Sequence, residues 1–258
     1  MTRIFSAVVL LLLVVGVVWF LPSPATLILV ATVALLSFRE YVSLASGFGA
    51  SLFRGVTVIG MLAMVVAVSF DMSVVVLVCV SLVLAASSLA SGRGGSKTLL
   101  DVASSLFALL YLGLPLGILA AIHASAGREA ILLLLATVMV SDTAQYYGGR
   151  LFGRIPLAST ISPNKSVEGA LCGVVAGVAL VVVYAQLVLG PSSVLQRVSL
   201  GLTVVVLGVV GDLFESQLKR GVGVKDVSGL IPGHGGMLDR IDSLLFAAPG
   251  FYLFLRFL

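Results

Sequence analysis

Residues 216–242 read SQLKRGVGVKDVSGLIPGHGGMLDRID, and long apolar runs lie on both sides of them. The stretch holds six glycines and seven of the 26 charged side chains in the 258-residue chain. The chain as a whole has 60% hydrophobic and only 10% charged residues, and its mean hydropathy is +1.22, values that predict an integral membrane protein. We therefore expect an all-α polytopic protein in which this polar stretch connects two membrane-spanning helices.

Polar residues recur with helical spacing on both sides of these glycines. Asp239 and Asp242 would share one face of the following helix, and a matching stripe would lie on the preceding one. That stripe comprises Gly208, Asp212, Glu215, Ser216 and Lys219. The glycines around His234 let the backbone approach a ligand closely. Carboxylates suit Mg²⁺ and cationic side chains suit phosphate oxygens, so the pattern indicates a metal-bridged polyphosphate site, with a merely solvated loop as the simpler alternative.

The distribution of apolar runs predicts about nine spans with the N-terminus in the cytosol. The runs cover approximately residues 4–21, 25–44, 56–70, 73–90, 99–123, 129–147, 169–189, 198–218 and 241–258. This arrangement puts twelve basic residues on the cytosolic face and three on the other, as the positive-inside rule expects. It also puts the two segments between the sixth and seventh spans on the same membrane face as the polar stretch, residues 216–242. The sequence therefore predicts one composite site near the cytosolic surface.

A small, flexible and basic segment, residues 86–96, reads as a linker. We therefore expect two parts of different character. Residues 1–95 would form about four spans with little chemistry, and residues 96–258 would form about five spans with nearly all of it. Asp101 and His123 stand at the two ends of the fifth span and are predicted to be interfacial.

Two further polar clusters precede the polar stretch. The first is a helical face at the end of the sixth span, where ionisable residues are functional candidates unless the helix simply emerges into water. This face carries Asp142, Gln145, Tyr146 and Gly149. The second cluster, residues 162–169, reads SPNKSVEG and predicts a helix start with Ser162 as its cap and Pro163 in its first turn. Helix starts are themselves anion sites.

The motifs of these segments together resemble those of the phosphatidate cytidylyltransferases, the CDP-diacylglycerol synthases. From Ser216 to Asp242, the run S-x-L-K-R, four residues, K-D-x-S and then I-P-x-H-G-G-M-x-D-R-I-D matches the family signature without a gap. Upstream, S-D-x-x-x-Y-x-x-G-x-x-F-G begins at Ser141 and S-P-x-K-S-x-E-G begins at Ser162, in the family's order. The resemblance covers about residues 100–258, whereas the first 95 residues match only in being hydrophobic.

This resemblance implies transfer of CMP from CTP to phosphatidate of the inner leaflet, which gives CDP-diacylglycerol and pyrophosphate for phospholipid biosynthesis. A divalent metal, Mg²⁺, is the implied cofactor. The implied location is a cell membrane, with a bacterial source favoured and the active site on the cytosolic side. A homodimer is left open. Nucleic-acid binding is not indicated, because the basic residues lie close to a bilayer and are not interleaved with exposed aromatic residues.

Roles for individual residues follow from the resemblance and from their charge. The expected metal ligands are Asp212 and Asp239, which would share one ion, and Asp242, with Asp142 as a further candidate. The expected catalytic residues are Ser216, Lys219, Arg220, Lys225, Asp226, His234 and Arg240. The expected substrate-binding residues are Asp142, Tyr146, Lys165, Ser166, Glu168, Ser228, Gly235 and Gly236.

Two alternative functions remain at this stage. A CTP-dependent kinase acting on a polyprenol would use a related membrane site but transfer the γ-phosphoryl group, and the complete signature through Asp242 favours cytidylyl transfer. An ion-coupled transporter would also use carboxylates within spans. The charges crowd one membrane face instead of the midplane, and no inverted repeat is visible, so the pattern favours the enzyme.

Overall fold

The computed structural model describes residues 2–92, 95–230 and 235–257, and in these ranges the chain is helical apart from loops and one short hairpin. The helices are α1 (Thr2–Phe20), α2 (Ser23–Gly47), α3 (Arg54–Ala67), α4 (Ser73–Ala90), α5 (Thr98–Ala108), α6 (Leu114–Phe152), α7 (Val167–Val188), α8 (Val194–Gly221) and α9 (Leu238–Phe257). A 3-10 turn, Val68–Phe70, extends α3, and a π turn, Leu109–Gly113, joins α5 to α6. Strands β1 (Pro156–Ala158) and β2 (Ser162–Ser166) pair antiparallel. The predicted all-α class is confirmed.

Five helical segments of the described residues are long and apolar enough to cross a membrane, and two shorter apolar helices, Val8–Phe20 and Arg54–Phe70, accompany them. The five are Ser23–Gly47, Ser73–Ala90, Thr98–Phe152, Val167–Val188 and Val194–Gly221. The longest bends at Gly127, whose φ of 86° is open mainly to glycine, so the predicted fifth and sixth spans lie on either side of it. The polytopic membrane class is confirmed, and the count of nine spans stays a prediction.

The chain forms two compact units. Unit 1 consists of Met1–Ala124 and Gly221–Leu238, and unit 2 consists of Ser125–Arg220 and Asp239–Leu258. The loop between α8 and α9, residues 222–237, therefore belongs with the N-terminal helices. The predicted division at residue 95 rests on composition and stays a prediction.

In unit 1, glycines let the α5–α6 segment approach α3 closely. A Cβ atom on Gly113 would lie 2.9 Å from the Met61 carbonyl oxygen, and one on Gly117 would lie 2.7 Å from that of Val65. Small residues at such crossings allow membrane helices to pack backbone to backbone. The Tyr41 hydroxyl has a partner within this packing, because it donates its hydrogen to the Ser104 carbonyl at 2.7 Å.

The side chains of Asp101 and His123 are both buried in unit 1, and the prediction that they lie at the membrane interface stays a prediction. Asp101 Oδ1 accepts a hydrogen bond from the backbone N–H of Ser51 at 2.7 Å. His123 Nδ1 lies 2.7 Å from the hydroxyl of Thr26. Each residue therefore has a partner that lies far away in sequence, which the apolar pattern alone does not reveal.

In unit 2, the same device joins α6 to α7 and α8 to α9. A Cβ atom on Gly169 would lie 2.7 Å from the Gln145 carbonyl oxygen, and one on Gly211 would lie 2.4 Å from the Asp242 carbonyl oxygen. The close crossing at Gly211 brings the neighbouring Asp212 near the first turns of α9. Helix packing of this kind positions the polar ends of these helices against one another.

The prediction that Ser162 caps a helix is wrong. Ser162 pairs with Ala158 and Ser166 pairs with Pro156 in the β1–β2 hairpin, so the backbone at Ser162 is extended. Helix α7 begins five residues later at Val167, and Ser166 is its cap, because its hydroxyl accepts a hydrogen bond from the Gly169 N–H at 3.1 Å. The helix start exists, and the hairpin shifts it along the chain.

Candidate functional site

Lys219, on the last turn of α8, holds two carboxylates of unit 2. Its Nζ atom lies 2.5 Å from Oε2 of Glu215, one turn earlier on the same helix. It also forms an ion pair with Oδ1 of Asp239, on the first turn of α9. The Glu215 side chain is fully buried, and those of Lys219 and Asp239 are each 12% exposed. Lys219 therefore ties α8 to α9 through a nearly dry ion-pair network.

Lys165, at the end of β2, reaches the same helix from another direction. Its side chain forms an ion pair with Oδ2 of Asp212, and the two side chains are 23% and 30% exposed. The hydroxyl of Ser216 lies 3.5 Å from the other oxygen of Asp212, which is a marginal hydrogen bond. The segment before α7 and the stripe on α8, which the sequence treats as separate clusters, thus meet at Asp212.

The carboxylates at the end of α6 and the start of α9 join this meeting point. The negative charge of Asp212 repels that of Asp142, and the ammonium group of Lys165 attracts it. The hydroxyl of Ser243 donates a hydrogen bond to Asp142. Asp242 lies close enough to Asp212, Asp142 and Glu215 for their negative charges to repel one another. We call Asp142, Asp212, Glu215, Asp239 and Asp242 the acidic cluster. Its five carboxylates face two lysines, Lys165 and Lys219, which is a formal excess of three negative charges.

This excess suits a cation, because carboxylate oxygens are the ligands that Mg²⁺ prefers. Asp212 and Asp239 each use one oxygen for an ion pair with a lysine. In the part of the chain that the structure describes, no three His, Cys, Asp or Glu side chains are grouped closely enough to hold an ion. The donor chemistry of the acidic cluster fits a divalent metal, and one ion shared by Asp212 and Asp239 stays a prediction.

Three other predicted site residues hold the hairpin that carries Lys165. Ser166 caps α7. Glu168 accepts hydrogen bonds from the backbone N–H groups of Arg154, at 3.0 Å, and Ile155, at 3.2 Å. Arg220 donates from Nε to the carbonyl oxygen of Ile161 at 3.3 Å. Within unit 2 these side chains therefore have structural partners, and their contribution to the site is to fix the hairpin.

The remaining predicted residues of the site are exposed or lie in the α8–α9 loop. Lys225, Asp226 and Arg240 are exposed, and the Tyr146 ring is exposed and packs edge-on against Tyr147 with ring centroids 5.2 Å apart. Gly235 adopts a φ of 79°, which favours glycine. His234 lies outside the described residues.

Ser228 and Gly236 meet a residue that the sequence analysis missed, Glu40 of α2. The Ser228 hydroxyl donates to Glu40, and a Cβ atom on Gly236 would lie 2.6 Å from Glu40 Oε2. Glu40 is buried and also accepts the backbone N–H groups of Met237 and Leu238, at 2.9 and 2.7 Å. An ionisable residue within a predicted span is a functional candidate, and this signal was available in the sequence.

Comparison with known proteins places this sequence in a family. The phosphatidate cytidylyltransferase of Helicobacter pylori strain J99 is 43% identical over 152 residues, which are 58% of this chain and 55% of that protein. The phosphatidate cytidylyltransferase of Thermotoga maritima is 38% identical over 176 residues, 66% of this chain and 65% of that protein. For phosphatidate cytidylyltransferase 5, chloroplastic, of Arabidopsis thaliana, the values are 42% identity over 134 residues, 52% of this chain and 33% of that protein.

These matches span between about a third and two thirds of the relatives' own lengths. The family model described as the Cytidylyltransferase family matches residues 1–258, the full length of the sequence. The chain belongs to the Cytidylyltransferase family.

Proposed function

We propose that the chain transfers CMP from CTP to phosphatidate and releases pyrophosphate and CDP-diacylglycerol. The observation that carries the proposal is the meeting of three sequence clusters at Asp212, where Lys165 forms an ion pair and Asp142 and Asp242 interact electrostatically. Relatives with 38 to 43% identity that are named phosphatidate cytidylyltransferase support this choice of substrates. Both substrates carry phosphate groups, which match a site that combines lysines with carboxylates.

The reaction is a substitution at the α-phosphorus of CTP. An oxygen of the lipid phosphate forms the new P–O bond, and the bond to the β-phosphate oxygen breaks, so that pyrophosphate leaves with the electron pair. A phosphate monoester has its second pKa near 6 and is therefore already ionised, so no side chain has to remove a proton. The protein has to align the reactants and to offset their negative charge.

The chain's own side chains divide this work. Lys165 and Lys219 each hold a carboxylate, and each ammonium group can bind a phosphate oxygen in its place, because both partners are anionic oxygens. The exposed Lys225 and Arg240 are free to meet the triphosphate from solvent. Asp212, Asp239 and Asp242 would hold a divalent metal, which supplies positive charge to the phosphates when bound.

Transfer of a label from CTP tests this proposal. Purified protein is incubated with phosphatidate, a polyprenol and CTP that carries the label either on the α- or on the γ-phosphate. Movement of only the α-label into lipid is the expected result. Movement of the γ-label into a polyprenol would identify the lipid kinase instead, and no transfer of either label would leave the transporter as the favoured function.

We also propose that the site faces the cytosol, so that CTP arrives from solvent and phosphatidate arrives sideways from the inner leaflet. The asymmetry of basic residues supports this orientation. Cysteines introduced by Asn164→Cys and Gly229→Cys should be protected from an impermeant thiol reagent in intact cells, and one introduced by Ala124→Cys should react. Gly153 is unsuitable for this purpose, because a Cβ atom there would lie 2.2 Å from the Gly149 carbonyl oxygen. Reaction at residue 164 but not at residue 124 would invert the orientation.

A further inference from the structure

We propose that Glu40 of α2 is a positioning residue that holds the α8–α9 loop and the start of α9 in their working conformation. The inference rests on the proposed function only for what the loop does in catalysis. The contacts themselves lie within unit 1 and involve both oxygens of one buried carboxylate. Glu40 belongs to the part of the chain in which the sequence shows no motif.

Glu40 joins two points of the loop. Its Oε1 atom accepts the hydroxyl of Ser228 and the backbone N–H of Met237, and its Oε2 atom accepts the backbone N–H of Leu238. The Ser228 oxygen in turn accepts the Leu230 N–H at 3.3 Å. One side chain therefore crosslinks the middle of the loop to its end. A loop rich in glycine gains most from such a crosslink, because its unrestrained backbone has the most conformational freedom to lose.

The negative charge of Glu40 has a specific purpose at this position. Leu238 is the first residue of α9, and the first N–H groups of a helix have no acceptor within the helix. A carboxylate there accepts those hydrogens and interacts favourably with the helix dipole. An amide would keep one acceptor oxygen but would turn an N–H₂ group towards the remaining donors, so Gln is a poor substitute for Glu40 despite its matching size.

The bare backbone at Gly236 is explained by the same contact. The sequence suggests that the two adjacent glycines leave room for a ligand, but Gly236 is buried and its missing Cβ atom would lie 2.6 Å from Oε2 of Glu40. Real Cβ contacts are not that short, so any larger residue would displace the carboxylate. Gly236 therefore makes room for Glu40.

Helix α2 also holds the start of the loop. A Cβ atom on Gly47 would lie 2.7 Å from the Val222 side chain, and one on Gly221 would lie 2.6 Å from the ring of Phe48. The end of α2 and the side chain of Glu40 thus contact the loop at its first and last residues. Asp239 and Arg240 follow Leu238 directly in the chain, so a shift of Leu238 moves two residues of the proposed site.

The test combines activity with a probe of the loop that needs no substrate. A spin label is attached through Gly229→Cys, a site where a Cβ atom meets nothing within 4 Å, in a background with Cys79→Ala and Cys172→Ala. Glu40→Gln should increase the mobility of this label. It should also lower kcat by about 10- to 100-fold, the scale expected for a misplacement of about 1 Å, while KM for CTP stays within about threefold.

Two comparisons make the result specific. Asp101→Asn removes the charge of another buried carboxylate of unit 1 that accepts a backbone N–H, and it should leave both the label and kcat nearly unchanged. Asp239→Asn should lower activity by about 10³-fold without changing the label. If the proposed reaction is wrong, the label still reports on Glu40, so the two failures are distinguishable.

Ser228→Ala guards against a Glu40 variant that does not fold. It removes one of the donors to Glu40 and should increase label mobility less than Glu40→Gln does. In the Glu40→Gln background it should add little, because residues of one network are not additive. A label whose mobility is the same in the parent, Glu40→Gln and Ser228→Ala proteins would overturn the inference, whatever the activities.

Discussion

The carboxylates of the two units have opposite surroundings. In unit 1, Glu40 and Asp101 accept hydrogen bonds from backbone N–H groups, which are fixed by the fold. In unit 2, the acidic cluster has five carboxylates against two lysines, and the contacts of Lys165 and Lys219 are ion pairs between side chains. Amides of a rigid backbone keep a carboxylate in place permanently, whereas a side-chain ion pair can exchange its partner for a charged ligand. We propose from this comparison that the carboxylates of unit 1 position the backbone and that those of unit 2 take part in the chemistry.

The largest expected effect is the loss of Asp212, where the three clusters meet. Asp212→Asn removes a charge from the acidic cluster but keeps the size of the side chain, so α-label transfer should fall by about 10³-fold, while the unfolding temperature changes little. If Asp212 and Asp239 share one metal ion, the double variant should be scarcely slower than either single one. Full activity of Asp212→Asn at saturating Mg²⁺ would remove the acidic cluster from the reaction.

The next largest effect is expected at Lys219, where a variant can separate two roles: neutralising the buried Glu215 and binding phosphate. Lys219→Ala should lower the rate by about 10² to 10³-fold, because one preorganised donor to phosphate is lost. It should also destabilise the protein, since Glu215 is left buried without its cation. Adding Glu215→Gln should restore the unfolding temperature but not the rate. Recovery of both together would show that Lys219 only balances Glu215.

A smaller effect is expected at Glu168, a carboxylate of unit 2 that accepts hydrogen bonds from backbone N–H groups, as Glu40 and Asp101 do in unit 1. It accepts hydrogen bonds from the backbone N–H groups of Arg154 and Ile155, and so it holds the hairpin that carries Lys165. Glu168→Gln should therefore cost about tenfold or less in rate, by the scale of a small misplacement. Steady-state kinetics measure this effect, and a loss as large as that of Asp212→Asn would break the comparison between the units.

The smallest effect on rate is expected at Asp101. Asp101→Asn weakens a hydrogen bond to the Ser51 N–H and should lower the free energy of unfolding by about 1 to 3 kcal/mol. The turnover of the folded fraction should stay within about twofold of the parent, because Asp101 lies in unit 1 and serves a loop distant in sequence from the signature. Denaturant titration and kinetics on the same sample separate stability from rate. A large loss of turnover without a loss of stability would contradict a purely structural role for Asp101.

The positions of the helices follow closely from the sequence. Apolar runs at residues 73–90 and 169–189 correspond to α4 and α7, since an uninterrupted apolar run has to form its own backbone hydrogen bonds within a membrane. The sequence does not predict the β1–β2 hairpin, because Ser162 and Pro163 are as typical of a helix start as of a short strand. Pairing with β1 decided between them, and a pairing partner is not a local property of the chain.

The sequence by itself determined the membrane class, the positions of most helices, the family motifs and the charged residues that gather in unit 2, because hydropathy and motif spacing are local. Only the tertiary structure decided which of these residues meet. Lys165 meets Asp212, Lys219 meets Asp239, and Glu40 reaches Leu238 across 198 positions of the chain. Such contacts depend on how closely segments of the chain approach one another, and glycines such as Gly211 of α8 and Gly236 of the α8–α9 loop set that distance by the side chain they lack.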